Sequence, residues 1–142
     1  MSIVHINSEG NLVNDPELSY TSSGVPVANF RLAVNRREWD KNARQWVDGS
    51  PTYLRCTVWK AMAENVANSL RKGDSVLVTG DLKQQNWEDR EGNRRTSYDV
   101  EVKNIGASLR YAEVTINRTG GGQRGGFAPE SGFGGGDDNV PF

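Results

Sequence analysis

A chain of 142 residues has room for one domain with a modest core and a tail. With 35% hydrophobic and 25% charged residues and no run near the ~20 apolar residues of a membrane span, it excludes a helical membrane protein. A formal net charge of −1 excludes polyanion binding through bulk charge alone, and the single Cys56 excludes an intrachain disulfide or a cysteine-rich zinc site and fits a reducing cytoplasm.

Residues 1–7 carry neither a basic region nor an apolar run, so no signal peptide is expected. Residues 3–12 alternate as a strand, with Val4, Ile6 and Leu12 on one face and Gly10 where strands often bulge or bend. Turn signals follow at Asn14-Asp15-Pro16-Glu17 and Thr21-Ser22-Ser23-Gly24. Residues 25–35 form the cleanest strand. Ala28, Phe30, Leu32 and Val34 point one way, and Asn29, Arg31, Ala33 and Asn35 the other.

Residues 36–49 read as a polar loop or hairpin tip that carries Arg36, Arg37, Lys41 and Arg44 with Trp39 and Trp46. So polar a loop offers its tryptophans little core, which favours Trp39 as a stacking residue; Trp46 stays open between stacking and folding back over the sheet.

The central strand is residues 52–60. Leu54, Cys56 and Val58 make a small apolar face; Tyr53, Arg55, Thr57 and Trp59 make the other. Aromatics stack on bases, and an Arg meets phosphate or stacks on a ring. At about 3.3 Å per residue, Tyr53 and Trp59 stand roughly 20 Å apart, which suits an extended polymer. A partner sheet covering a second apolar face is the other reading of this strand.

Residues 61–71 give the one convincing helix, with Met62, Ala63, Val66, Ala67 and Leu70 in a single stripe. Arg71 and Lys72 complement its C-terminal dipole and Gly73 stops it. Residues 75–87 are a strand with Val76, Val78 and Leu82 inward and Thr79, Lys83, Gln85 and Trp87 outward. After a charged turn at Gly92, residues 94–105 return with Tyr98, Val100 and Val102 inward and Arg95, Ser97, Asp99 and Lys103 outward. Residues 108–117 offer a short last strand through Leu109, Tyr111 and Val114. The expected fold is all-β, a five-stranded Greek-key barrel of the OB type with one helix between strands three and four.

From Arg118 the composition changes, and nine of the last 23 residues are glycine. Such a stretch buries too little surface to offset its ordering entropy, so a disordered Gly-rich C-terminal tail is expected. It ends Asp137-Asp138-Asn139-Val140-Pro141-Phe142, two acids before an apolar tip, like a docking peptide on a tether. Residues 1–115 carry 15 Lys and Arg against 15 Asp and Glu, so any nucleic-acid site rests on charge placement and stacking.

These residues resemble the bacterial single-stranded DNA-binding proteins. The likeness lies in Gly10-Asn11-Leu12, Asp15-Pro16-Glu17-Leu18, Val27-Ala28-Asn29-Phe30, Leu32-Ala33-Val34, Ala63-Glu64-Asn65-Val66-Ala67, Leu70-Arg71-Lys72-Gly73, Val78-Thr79-Gly80 and the acidic tip. The resemblance implies an OB-fold homotetramer, cytoplasmic and associated with the nucleoid, that wraps single-stranded DNA. It also implies a tip that recruits replication, recombination and repair proteins. Trp39, Tyr53, Trp59 and Trp87 match the family's stacking positions, with Tyr53 where others have Trp or Phe and Trp59 where others have Phe. Arg55 matches a cation beside the first of these. The stretch from Leu82 to Trp87 keeps only Lys83 where relatives carry several basic residues, so weaker or more salt-sensitive binding is expected. Residues 108–111 and those after them resemble an extra strand that clamps two subunits in some branches, and the linker is short for the family.

The organisation expected is therefore a binding domain over 1–117, a linker over 118–136 and a tip over 137–142. The expected DNA contacts are Arg31, Arg36, Trp39, Arg44, Tyr53, Arg55, Trp59, Lys83, Trp87 and Arg95; the expected partner contacts are Asp137, Asp138, Pro141 and Phe142. Neither a metal nor a cofactor is expected. An enzyme is rejected, because the only histidine, His5, sits on an exposed strand face and Cys56 has no spaced base to activate it. An OB-fold adaptor that docks proteins without gripping DNA, and an RNA binder, are the remaining rivals.

Overall fold

A computed structural model describes residues 2–119; the expected linker, apart from Arg118 and Thr119, and the expected tip at Asp137, Asp138, Pro141 and Phe142 lie outside them. Eight strands and one helix follow in chain order: β1 (Val4–Leu12), β2 (Glu17–Tyr20), β3 (Pro26–Val34), β4 (Arg37–Asp40), β5 (Gln45–Asp48), β6 (Thr52–Trp59), α1 (Ala61–Ser69), β7 (Ser75–Glu88) and β8 (Arg94–Ala107). One compact unit runs to Tyr111, and the described residues from Ala112 on are not part of it.

Five strands close a ring. The main sheet runs β1-β7-β8-β6-β3-β2, and β1 also pairs with β3. Every pairing in it is antiparallel except β6 with β8. Ring strands β1, β3, β6, β7 and β8, with the helix after the third, make an OB-fold barrel. The other three strands are additions. β2 lengthens the sheet outside β3, and β4 and β5 form a hairpin that is a sheet of its own.

The alternation of the ring strands explains the core. Ala28, Phe30, Leu32, Leu54, Cys56, Val58, Val76, Val78, Val100 and Val102 are all buried, and α1 adds Ala63 and Val66, with Leu70 just beyond it. Two glycines admit the close approach of neighbouring strands. A Cβ on Gly10 would stand 2.5 Å from the Ala33 carbonyl oxygen, and one on Gly80 would stand 2.4 Å from that of Glu101. Gly10 lies where β1 passes from pairing with β7 alone to pairing with β3 at Asn11 and Leu12. Gly80 flanks the irregularity in the β7–β8 ladder.

The helix ends two residues earlier than its stripe suggests. Leu70 is already extended, and the Arg71 guanidinium donates to the carbonyls of Ala67 and Leu70 at 3.0 and 2.8 Å. Gly73 then takes φ +93°, which only glycine adopts freely. On the opposite side Tyr20 donates its hydroxyl to Glu64, joining β2 to α1, and that hydrogen bond raises the Tyr20 pKa.

Three expectations need correction. Tyr98 is exposed, because the long β7–β8 hairpin runs past the end of the apolar core and its inward face there opens to solvent. Val4, which aligns with Leu82 two residues along β7 from the partner of Tyr98, is exposed at that same end of the barrel. Residues 108–117 form no strand. Ser108 is buried and donates its amide to the Ser75 carbonyl, but Leu109 and Tyr111 beyond it are exposed with no neighbouring strand.

Candidate nucleic-acid interface

The outer face of β7-β8-β6-β3 gathers most of the expected contacts. Register does this. Arg31 stands opposite Arg55, and Ala33 opposite Tyr53. In the parallel pairing Arg55 aligns with Asp99, and Asp99 aligns with Lys83 across β7. One row thus crosses four strands as Lys83, Asp99, Arg55, Arg31. The Arg31 guanidinium lies 5.0 Å from the centroid of the Tyr53 ring, so one ring face meets a cation. Arg55 Nε lies 2.9 Å from Asp99 Oδ1.

The next row along these strands has a different character. His5, Asp81, Glu101, Thr57 and Asn29 align across the sheet. His5 and Asp81 pair at 2.8 Å, Lys103 reaches Asp81 and Glu101 at 3.7 and 3.6 Å, and Thr57 donates its hydroxyl to Asn29. Trp59 lies beyond this row, opposite Val27. A row holding two carboxylates therefore separates Trp59 from the rest of the basic and aromatic face.

Trp87 and Arg95 stand opposite each other at the far end of the β7–β8 hairpin. With Asn86, Glu88, Arg94 and Thr96 they line a cleft of about 500 Å³. Asp89 holds Arg95 there. It accepts the Glu91 and Asn93 amides at 2.9 Å each and Arg95 Nε at 3.0 Å. The Asn93 amide first, with Arg95 and the Glu91 amide, keeps the Asp89 carboxyl below its ordinary pKa although burial pulls the other way.

The structure does not place Trp39, Arg36 and Arg44 on the barrel face. Trp39 is on the hairpin directly opposite Trp46, the two rings edge to face with centroids 5.6 Å apart. Arg44 takes φ +54° in the hairpin turn, where Asp40 accepts the amides of Asn42, Ala43 and Arg44. Arg36 stands at the hairpin base 3.5 Å from Glu38, and Gly49 closes that base by donating to the Arg36 carbonyl. Trp39, Tyr53, Trp59 and Trp87 are 51%, 46%, 39% and 47% exposed, so all four rings are accessible. No strand among the described residues covers Tyr53 or Trp59.

Sequence reasoning missed Asp99 and Asp89, which hold Arg55 and Arg95, and the pairing of Trp46 with Trp39. No local signal marks the acids, since an outward carboxylate on a strand resembles any solvated charge. Burial pushes the Cys56 thiol up to about 12, the opposite of an activated nucleophile. Among the described residues no three His, Cys, Asp or Glu gather to hold a metal, and no helix is long and apolar enough to cross a membrane.

The model of the single-strand binding protein family matches residues 4–108, which span all five ring strands. The chain belongs to that family. A single-stranded DNA-binding protein of Mycobacterium tuberculosis is 47% identical over 154 aligned positions, which cover 94% of each chain. One from Paenarthrobacter nicotinovorans is 52% identical over 110, covering 78% of this chain and 65% of its own. The crystal structure of a small single-stranded DNA-binding protein from Streptomyces coelicolor superposes with a TM-score of 0.70 at 35% identity. It covers 79% of this chain and all of its own. Family membership and the exposed aromatic face thus point the same way.

Proposed function

We propose that this protein binds single-stranded DNA without reading its sequence, stacking bases on Trp39, Tyr53, Trp59 and Trp87. Arg31, Arg36, Arg44, Arg55, Lys83 and Arg95 meet the phosphates. The observation that carries the reading is the accessibility of four aromatic rings interleaved with cations, in a chain whose net charge excludes attraction by bulk. Bases stacked on exposed rings contribute about 1–3 kcal/mol each, whatever the base. Membership of the single-strand binding protein family supports the ligand class.

The finer organisation belongs to the same proposal. Residues 1–117 contain the binding domain, which assembles as a homotetramer in the bacterial cytoplasm on the nucleoid. Residues 118–136 tether the tip, Asp137 to Phe142, which recruits replication, recombination and repair proteins. Phe142 with Pro141 enters an apolar pocket while Asp137 and Asp138 meet basic residues around it. Deleting residues 137–142 is expected to abolish capture of such enzymes and to leave DNA affinity intact or higher; a fall in affinity would give the tip a different role.

Tryptophan fluorescence titrated with poly(dT), then back-titrated with salt beside a matched duplex, tests the core of the proposal. Strong quenching by the single strand alone, reversed by salt, is the expected result. No quenching at low salt would overturn it and leave an OB-fold adaptor.

A further inference from the structure

One carboxylate sits inside the cationic row, and its geometry is unlike that of a structural acid. Asp99 lies between Lys83 and Arg55 across the strands, on the outer face that the proposed DNA path crosses. Its Oδ1 is shut off from solvent and makes no hydrogen bond, although Arg55 Nε stands 2.9 Å away. The contact is thus one of charge with charge, and the neighbouring Ser97 hydroxyl is also buried and unpartnered. Asp99 therefore adds little to the ladder that backbone pairing does not already supply. It does neutralise Arg55. Among the described residues Lys83 and Arg31, at either end of the row, have no acid partner.

A carboxylate and a phosphate diester present the same charge and the same acceptor oxygens to a guanidinium. An Arg whose charge a carboxylate already balances does not neutralise a DNA phosphate, so it releases no cation condensed on the DNA and adds nothing to the salt dependence of binding. Resting on the DNA-binding reading above, we propose that Asp99 is the internal counterion of Arg55, holding the place of one phosphate and thereby lowering both the affinity and the salt sensitivity of single-stranded DNA binding. The row then offers incoming DNA two free cations, Lys83 and Arg31, and one that must first be shared with Asp99.

The test compares wild type with Asp99→Asn and Asp99→Ala, using anisotropy of a labelled oligo(dT) across a salt series. Freeing one cation steepens the log–log salt slope by about 0.7 for a single strand. Extrapolated from 1 M salt, that makes binding about eightfold tighter at 50 mM and about threefold tighter at 200 mM. Both variants are expected to show this, and Arg55→Ala added to Asp99→Ala is expected to restore the wild-type slope. An unchanged slope in both single variants overturns the proposal, as does weaker binding, which would make Asp99 a clamp that positions Arg55. A steep slope surviving in the double variant would sever Asp99 from Arg55. Absence of binding by the wild type itself would instead overturn the DNA-binding reading. Thermal melts of each variant confirm that the barrel compared is folded.

Discussion

Tyr53→Ala isolates stacking from fold. The ring is about half exposed on β6 and lies outside the barrel core, so its removal opens no cavity. The stability lost is the contact with Arg31, about 0.5–1 kcal/mol for an exposed cation over a ring. The binding lost is larger. A base stacked on an aromatic contributes about 1–3 kcal/mol, which weakens binding about 5- to 150-fold. All four tryptophans remain in the variant, so their quenching by poly(dT) still reports binding. The salt slope is expected to stay at the wild-type value, because no cation has been removed. Tyr53→Phe keeps the ring and is expected to bind like wild type. Affinity of Tyr53→Ala within twofold of wild type, at matched salt, would refute the assignment of Tyr53 to the DNA face. Equal losses in Tyr53→Phe and Tyr53→Ala would refute stacking and assign the effect to the hydroxyl.

Gly80→Ala is expected to destabilise the barrel by about 1–3 kcal/mol, seen as a lowered denaturation midpoint, because its Cβ would meet the Glu101 carbonyl oxygen and Val100 Cγ1 at 2.9 Å; an unchanged midpoint would show that the ladder gives way there at little cost. The Cys56 thiol, pushed up to about 12 by burial, should resist alkylation at pH 8 until the protein unfolds. Its folded pKa lies above the unfolded one, so its contribution to stability is complete below pH about 9 and is lost as pH rises toward 12. Alkaline melts that fall less in Cys56→Ala than in wild type would bear this out. Trp46→Leu removes the ring that packs edge to face with Trp39 and is expected to weaken poly(dT) binding several-fold, with no further effect in a Trp39→Ala background. Additive losses would mean that Trp46 stacks a base of its own.

What the sequence disclosed was whatever repeats at short range. The five ring strands and the helix carry periods of two and 3.6 with a buried face, and their parity assigned Arg31, Tyr53, Arg55, Trp59, Lys83, Trp87 and Arg95 to the outside. β2 escaped because its four residues are all exposed and sit between two turn signals. The hairpin strands escaped as strands for a similar reason: Trp39 and Trp46 pair with each other and hardly with a core. Tyr98 was misjudged because alternation continues beyond the point where there is a core to face. Cross-strand partnerships such as Arg55 with Asp99 were out of reach, since register between β6 and β8 is set by contacts over 40 residues apart in sequence.

The hairpin of β4 and β5 shares no ladder with the barrel and is joined to it only through its base near Arg36 and Gly49. Residues inserted into or deleted from its tip therefore shift no register in the ring and disturb no buried side chain, and closing a somewhat longer loop adds little entropy. The barrel is obliged to keep its length strand by strand, but this arm is not. Natural variation can lengthen, shorten or redecorate the segment that carries Trp39, Trp46 and Arg44 while the fold beneath it stays the same, so the reach of the protein along its ligand can evolve separately from its stability.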